Sequence, residues 1–595
     1  IYGGRSVSGA ADTNEVNLNG GKIGKFSYVS YIYGGVGNTS ASGNTVNITG
    51  GAFENGSLYG GYSSTGTADT NIISMTGGTL SYTSIHGGRG GASASGNEVT
   101  VSGGLAGYVY GGAATYNTGK MNQNKVTVTG EETVVSGVIG GQDGVENNDN
   151  TVLIEDGSTV KVDVYGGYST GAGSAINNKV TVTDSTVNGN VFGGVSFRGA
   201  EAVTKNAVTI NNSTIGKNVY GGRQYDNESG YAYSVTGNIV TINGGTFSAD
   251  KKIYGGFTYS GTTTDNIINL TGTTTGLEGV EIYGGSQSAN TGNELHVGGT
   301  KTYDTSGNFV TNSGDVWQGS SNNMVKKVAN FEKIVLHSVK WDATVAALEA
   351  TTVNNVKTLD ITDLKFYTDA AGTTQKTSFE EGESMALLKS VESDLSSVKL
   401  DYKSGDAVVT GVAITTEGVT LGGGATDKTE TDGVNGVKLT QSVTEKVKLA
   451  TDSKAISYSC EVGDVKGVTF NASTPITFSK TEMARDLTGK TFATSNTINA
   501  EGLQFKETNE AIAVSDSMTL ISNATGITTT VTNETGKTVA ITNYEDNQKI
   551  KYNATASGTV TSDGSAVKYT VGSVTVSSID LSGSSIDLFI DRIYQ

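Results

Sequence analysis

Ile1-Tyr2-Gly3-Gly4 opens the chain, and its recurrence decides the fold. It returns as Ile32-Tyr33-Gly34-Gly35, Leu58-Tyr59-Gly60-Gly61, Ile85-His86-Gly87-Gly88 and Val109-Tyr110-Gly111-Gly112. Further copies begin at Val138, Val164, Val191, Val219, Ile253 and Ile282, giving eleven within 285 residues, 24 to 34 residues apart. A repeat of that period marks a solenoid, in which each unit buries its apolar face only against its neighbours.

Working outward, a second motif alternates with the first. It reads Asn-x-aliphatic-x-aliphatic-x and usually ends in glycine, as in Asn44-Thr-Val-Asn-Ile-Thr-Gly-Gly51 and Asn238-Ile-Val-Thr-Ile-Asn-Gly-Gly245. It starts at Asn14, Asn44, Asn71, Asn97, Asn124, Asn150, Asn178, Asn206, Asn238, Asn266 and Asn293. Period-two alternation predicts a strand with one buried face, here Val46 and Ile48. The expected fold is all-β: a parallel β-helix (β-solenoid) of about 11 rungs over 1–299, with a right-handed coil as first choice, followed by further β-rich modules. At ~4.8 Å between strands, such a rod is on the order of 50 Å long. The Asn column is expected to form a ladder of stacked amides, with a glycan contact as the alternative.

The tetrapeptide's first position is always Ile, Leu or Val, which suits a dry core. Its second position defines an aromatic ladder: Tyr2, Tyr33, Tyr59, His86, Tyr110, Ile139, Tyr165, Phe192, Tyr220, Tyr254 and Tyr283. Strand alternation turns these side chains outward or into a corner, and His86 suggests a partly wet setting. They are expected to stack and stiffen the rod. The alternative is a contact strip for sugar rings or a neighbouring molecule. The glycine pair is read as a turn element allowing positive φ or close backbone approach. It matches no phosphate-binding pattern. The loop from each Gly-Gly to the next Asn varies from 7 to 15 residues, and the longest, Arg223 to Gly237, carries Tyr225, Tyr231 and Tyr233. Length variation confined to one edge of a solenoid marks the face that meets partners.

Composition narrows the function. Net charge is -18, so nucleic acid and anionic membranes are poor partners. Glycine totals 84, with 61 of them in residues 1–300, so the two halves are built differently. The single cysteine, Cys460, cannot form an internal disulfide and is expected to be a small buried strand residue. No apolar run approaches the ~20 residues of a membrane helix, and the first residues of this sequence do not read as a signal peptide. Because the chain starts inside a repeat, residue 1 is expected to be a processing or artificial boundary.

The tetrapeptide stops after Gly299. Residues 300–323 read as a linker or cap, 324–424 as a β-rich module, 425–436 as a flexible break and 437–595 as a second β-rich module. Strands are expected at Val328–Leu336, Lys357–Phe366, Val398–Tyr402 and Ala407–Ile414, and short helices at Ala343–Ala350 or near Ser384–Val391. Gly382-Glu-Ser-Met-Ala-Leu-Leu-Lys389 and Ser515-Asp-Ser-Met-Thr-Leu-Ile-Ser522 look related, which suggests two copies of one module. Val574–Tyr594 reads as further strands.

No motif carries chemistry. A β-helix enzyme acting on polysaccharides would need clustered carboxylates, and the acidic residues here are scattered over loops. Glu146-Asn-Asn-Asp-Asn150 is dense enough in oxygen to suggest calcium, but the nonapeptide calcium repeat is absent. Neither a catalytic residue, a metal nor a cofactor is expected.

Units such as Asn206…Ile215-Gly-Lys-Asn-Val-Tyr-Gly-Gly222 resemble the Asn-Val-Tyr-Gly-Gly repeats of bacterial autotransporter passengers (type V secretion). Asn330-Phe331-Glu332 lies in a stretch similar to segments that follow such repeats. The resemblance covers 1–299 well and 324–424 loosely. It implies a Gram-negative cell-surface or secreted protein, exported unfolded and folded outside, with membrane attachment only through a C-terminal barrel lying outside this chain. The leading expectation is a structural adhesin that binds a host or neighbouring-cell surface, protein or glycan, through the loop edge. The binding residues are expected to be Tyr33, Tyr59, His86, Tyr110, Tyr165, Phe192, Tyr220, Tyr254, Tyr283, Tyr225 and Tyr231. A self-associating filament or surface-layer subunit and a polysaccharide-degrading enzyme are the alternatives.

Overall fold

The computed structural model describes residues 1–580 except 25–28, 172, 198–201, 226–233, 273–275, 287–290, 320–323, 378, 380–381, 423–425, 432 and 543–550. Every regular element among the described residues is a β-strand. The chain forms two compact units. The first comprises Ile1–Thr377, Ser384–Val419 and Val447–Tyr458; the second comprises Ser378–Glu383, Thr420–Lys446 and Ser459–Gln595.

In the first unit the strands stack parallel and in register, rung upon rung. The tetrapeptides sit directly over one another: Tyr2 pairs with Tyr33, Tyr33 with Tyr59, Tyr59 with His86 and His86 with Tyr110. The Asn-led strands do the same, with Val126 over Val152 and Val180 over Val208. A third wall precedes the tetrapeptide and points Phe53, Leu80, Val135, Val160, Val187 and Ile215 inward. In one rung Val180, Val182, Val187 and Val191 are all essentially buried. Burying four such side chains stabilises a rung by roughly 6–12 kcal/mol as an upper estimate, and this gain is available only when rungs stack above and below.

Stacking continues beyond the last tetrapeptide, to about 16 turns. An antiparallel hairpin, Gly299–Tyr303 with Phe309–Ser313, occupies the stretch read as a linker. Val325–Leu336 then pairs parallel with both Glu281–Gly285 and Glu294–Val297. Leu348–Asp360 pairs parallel with Val325–Leu336, and Ser384–Ser390 and Lys399–Ser404 pair parallel with Leu348–Asp360. These rungs dispense with the motif because a wall needs only inward apolar positions, supplied here by Val328, Phe331 and Ile334.

Neither short helix forms. Leu348–Asp360 and Ser384–Ser390 are strands. Leu348 and Ala350 alternate into the core, as do Met385 and Leu387, and Val353 is buried after a break in the alternation. Parallel neighbours claim their backbone groups, so tertiary pairing overrides local helix propensity. Lys357–Phe366 is likewise interrupted: the strand ends at Asp360 and resumes at Lys365–Tyr367.

The second unit has its own core, including Val465, Phe478, Ile498, Met518, Leu520, Val560 and Tyr569. Parallel pairs link Val468 to Ile498 and Ile498 to Val531. Lys551–Ser562 pairs antiparallel with Lys537–Ile541 and Val567–Asp580. Cys460 is buried in Ala455–Phe470, as its strand context predicts. The two related octapeptides share a local form: Met385, Leu387 and Leu388 are buried like Met518, Leu520 and Ile521. The expected terminal strands are present to Asp580; residues 581–595 lie outside the described residues.

Candidate functional site

Two columns run the length of the repeat region, and they serve different ends. The first is the asparagine column. From Asn14 to Asn293, each Nδ2 donates to Oδ1 of the Asn one rung on, at 2.8–3.1 Å. Each backbone N–H donates to the same oxygen, as Asn150 does to Asn178 at 3.0 Å. From Asn44 onward these residues are buried. The column is therefore an amide ladder with its polar groups satisfied internally, and no glycan reaches it.

The ladder explains the glycine pair. The pair lies within strands rather than at turns, and its φ angles are not left-handed. A Cβ on Gly167 would lie 2.6 Å from Asn178 Nδ2 and 2.7 Å from the Asn147 carbonyl oxygen. A Cβ on Gly166 would meet Asn178 Cβ at 2.9 Å. Close approach, not conformational freedom, demands glycine here. The left-handed positions fall one residue before each ladder Asn instead: Thr13, Thr70, Gln123, Asp149, Asn177, Lys205 and Asp265 have φ of 54–58°, and glycine stands at 43, 96, 237 and 292. This strained corner aims each amide along the stack. The glycines at that place, with Asp149, Asn177 and Asp265, are the hint of it in the sequence.

The second column is aromatic. Its rings stack face to face at 4.4–5.3 Å in two runs, Tyr2 to Tyr110 and Tyr165 to Tyr283, separated by Ile139. Most of the column is less exposed than alternation predicts. Tyr59, His86, Ile139, Phe192, Tyr220 and Tyr254 are buried, Phe192 completely. Rungs above and below cover the ring faces. Flanking columns cover the edges, as Tyr62 does against Tyr33 and Tyr59, and Phe257 against Tyr220 and Tyr254. Tyr33, Tyr110, Tyr165 and Tyr283 are half-buried, and Tyr2, Tyr31 and Tyr108 are exposed. Burial with Arg89 nearby lowers the His86 pKa to about 3, so the ring is neutral. Its partly wet setting is thus corrected to a dry one. Tyr225 stacks on Phe197 at 4.2 Å at the base of the longest loop, whereas Tyr231 lies outside the described residues.

The loops are not structureless. Their returning limbs stack in parallel, first as single bridges from Ala10 through Ser40, Thr67, Ser93, Lys120 and Glu146 to Ser174, then as the sheet Ala175–Ile176, Val203–Thr204, Ser234–Thr236, Thr262–Thr264. One buried residue anchors each limb, such as Ala68, Ala94 and Met121. The oxygen-rich stretch 146–150 belongs to this scaffold. Glu146 pairs with Lys120 at 2.9 Å, Asn148 Oδ1 accepts from Ile176 N–H, Asp149 Oδ1 accepts from Asn177, and Asn150 is in the ladder. Its ligand atoms are engaged by neighbouring rungs. Among the described residues, no group of three His, Cys, Asp or Glu is placed to hold a metal ion.

The remaining histidines form a buried chain. His296 Nδ1 lies 2.9 Å from His337 Nε2, and His296 Nε2 lies 2.8 Å from Glu294 Oε2, which also accepts from Lys301. Burial and the neighbouring His296 lower His337 to about 4. Burial would raise Glu294, but hydrogen bonds from His296 and Lys301 outweigh it and hold the carboxyl at about 2. The cluster ties the hairpin to the stack. No family model, curated protein or solved structure matches the chain.

Proposed function

We propose that the chain is an extracellular structural adhesin, carried on the surface of a Gram-negative-type cell as the passenger of an autotransporter and contacting host or neighbouring cells through its variable loops. The observation that carries this reading is the division of labour within a rung. The walls are closed by the amide ladder and the buried ring stack, and the loop between the Gly-Gly and the next Asn ranges from 7 to 15 residues, whereas the step from Asn to the next Gly-Gly is 14 to 18 residues in nine of ten cases. A stack that satisfies itself leaves the loops free to differ. The repeat similarity to autotransporter passengers and the single cysteine favour export. Attachment of coated beads to cultured cells tests it. Shortening the loops at 223–237, 195–205 and 113–123 to eight residues should abolish attachment while circular dichroism stays unchanged; full attachment by the shortened chain refutes the loop edge as the contact surface.

A further inference from the structure

The residue after each glycine pair forms a column of its own. In register it runs Arg5, Val36, Tyr62, Arg89, Ala113, Gln142, Tyr168, Val195, Arg223, Phe257. The chain has six arginines, at 5, 89, 198, 223, 485 and 592, so half of them share this one row. The row sits beside the aromatic ladder, at the base of the variable loops.

Two of the guanidiniums lie over rings, the third reaches a tyrosine hydroxyl, and none pairs with a carboxylate among the described residues. The Arg5 guanidinium is 5.5 Å from the Tyr2 ring centre. Arg89 Nη1 donates to the Tyr59 hydroxyl at 3.5 Å. Arg223 is 3.7 Å from the Tyr225 ring, 4.7 Å from Tyr220 and 5.1 Å from Phe257. The Nε atoms of Arg89 and Arg223 are buried without a hydrogen-bond partner. By contrast, Arg485 makes a two-pronged ion pair with Glu430 at 2.6 and 2.7 Å. The carboxylates that press on Tyr168 from this side, Asp143 and Asp163, are held by Thr170 and by Asn190 with Tyr165. An acidic protein of net charge -18 thus keeps three cations unneutralised in a row, set among tyrosines.

We propose that this row is a binding site for a carboxylated polysaccharide, a polymer with uronate groups along its sugar backbone. The guanidinium fork matches a carboxylate in shape and charge. Tyrosine rings offer an apolar face to a sugar and a hydroxyl to its edge, and Tyr2, whose ring centre lies 5.5 Å from the Arg5 guanidinium, is exposed. Charge spacing selects the class. Three rungs separate Arg5 from Arg89 and five separate Arg89 from Arg223, which is roughly 14 and 24 Å at ~4.8 Å per rung. A nucleic acid strand carries a phosphate about every 3.4 Å, far denser than the row can neutralise on so acidic a body. A polymer with a uronate on alternate sugars, such as hyaluronate, interleaves its charges with neutral rings, and polygalacturonate, charged on every sugar, is the denser comparison. The inference rests on the adhesin reading only in taking the base of the loops as an outward contact surface.

Titration calorimetry at low salt tests it, using polygalacturonate and hyaluronate oligomers, neutral dextran, heparin and oligothymidylate. The expected result is binding to one or both uronate polymers, none to dextran or oligothymidylate, and no preference for heparin. Arg5→Gln with Arg89→Gln and Arg223→Gln should weaken binding at least tenfold and flatten its salt dependence, and the Lys triple variant should recover part of the loss. Arg5→Gln alone, at an exposed position, should cost a few-fold with an unchanged melting temperature. Equal binding by the Gln triple variant, preference for oligothymidylate or heparin, or no uronate binding overturns the proposal. Cell attachment without uronate binding rejects this inference and spares the adhesin reading; uronate binding without cell attachment does the reverse.

Discussion

Replacing Asn178 by alanine tests the ladder at its centre. Asn178 Oδ1 accepts from Asn150 N–H at 3.0 Å and from Asn150 Nδ2 at 2.9 Å, and its own Nδ2 donates to Asn206 Oδ1 at 2.9 Å and to the Asn147 carbonyl at 2.8 Å. Alanine strands three buried groups: two donors on Asn150 and the Asn147 oxygen. Asn206 Oδ1 still accepts from the backbone N–H of residue 178. At about 1–3 kcal/mol for each of the three orphaned buried groups, the variant should lose about 3–9 kcal/mol, with about 4–5 kcal/mol expected once the neighbouring side chains relax. Because a solenoid's energy is local to a rung and its neighbours, the loss should concentrate there. Hydrogen exchange of the amides in Thr151–Glu155 and Lys179–Thr183 should accelerate about a thousandfold, since 1.4 kcal/mol is a factor of ten. Asn14→Ala is the control. Asn14 is partly exposed and accepts no amide from a preceding rung, so it should cost only about 1 kcal/mol. Equal and small losses at both positions in urea unfolding would refute the claim that buried amide pairing holds the stack.

Gly167→Ala should cost about 2–3 kcal/mol by driving a methyl group into the Asn178 amide, measurable as a fall in the urea midpoint. Acid should loosen the repeat region: His86 and His337 have pKa values lowered to about 3 and 4, so below about 6.5 the unfolded chain takes protons that the folded one refuses. Each therefore removes about 2 kcal/mol between pH 7 and pH 5, and His86→Tyr should remove its share of that slope in melts across pH. Lys333 lies 2.7 Å from Asp401 and 3.3 Å from Asp360, both nearly buried, so Lys333→Met should cost about 3–5 kcal/mol by leaving them uncompensated; a neutral outcome in calorimetry contradicts that. Thr70 adopts φ of 54°, so Thr70→Gly should relieve about 1–2 kcal/mol of strain, less about 0.4–1 kcal/mol for a more flexible unfolded chain, and raise the melting temperature slightly.

The architecture was legible because a solenoid writes one local solution many times. The Asn and tetrapeptide spacings locate two walls, and the strands fall where the alternation places them. What stayed hidden was decided by neighbours in the next rung. Glycine at 34 and 35 says that something is close, not that it is an asparagine amide. Alternation puts Tyr59 on the outer side of its strand, yet the register also puts Tyr33, His86 and Tyr62 around it, and it is buried. The rungs after 299 lack the tetrapeptide but keep a trace of the amide corner: Asn330 and Asn355 both have left-handed φ, and Asn355 Nδ2 donates to Asn330 Oδ1 at 3.1 Å. The arginine row could have been found in the sequence by aligning copies on the residue after Gly-Gly; read singly, Arg5, Arg89 and Arg223 are unremarkable loop starts.

Ile139 shows why the two columns differ in what they tolerate. At that rung the ring stack is interrupted, yet the amide ladder passes from Asn124 through Asn150 to Asn178 without a gap. A missing ring forfeits stacking worth about 0.5–1.5 kcal/mol per pair, and an aliphatic side chain recovers much of the buried area. A missing amide leaves polar groups with no water to turn to. The aromatic position can therefore become His86, Ile139 or Phe192 while the asparagine position does not vary across eleven rungs. Freedom to vary increases outward, from amide to ring to the residue after the glycines to the loop. The arginines stand at the first position along that gradient where an unpaired charge can be kept without breaking the stack.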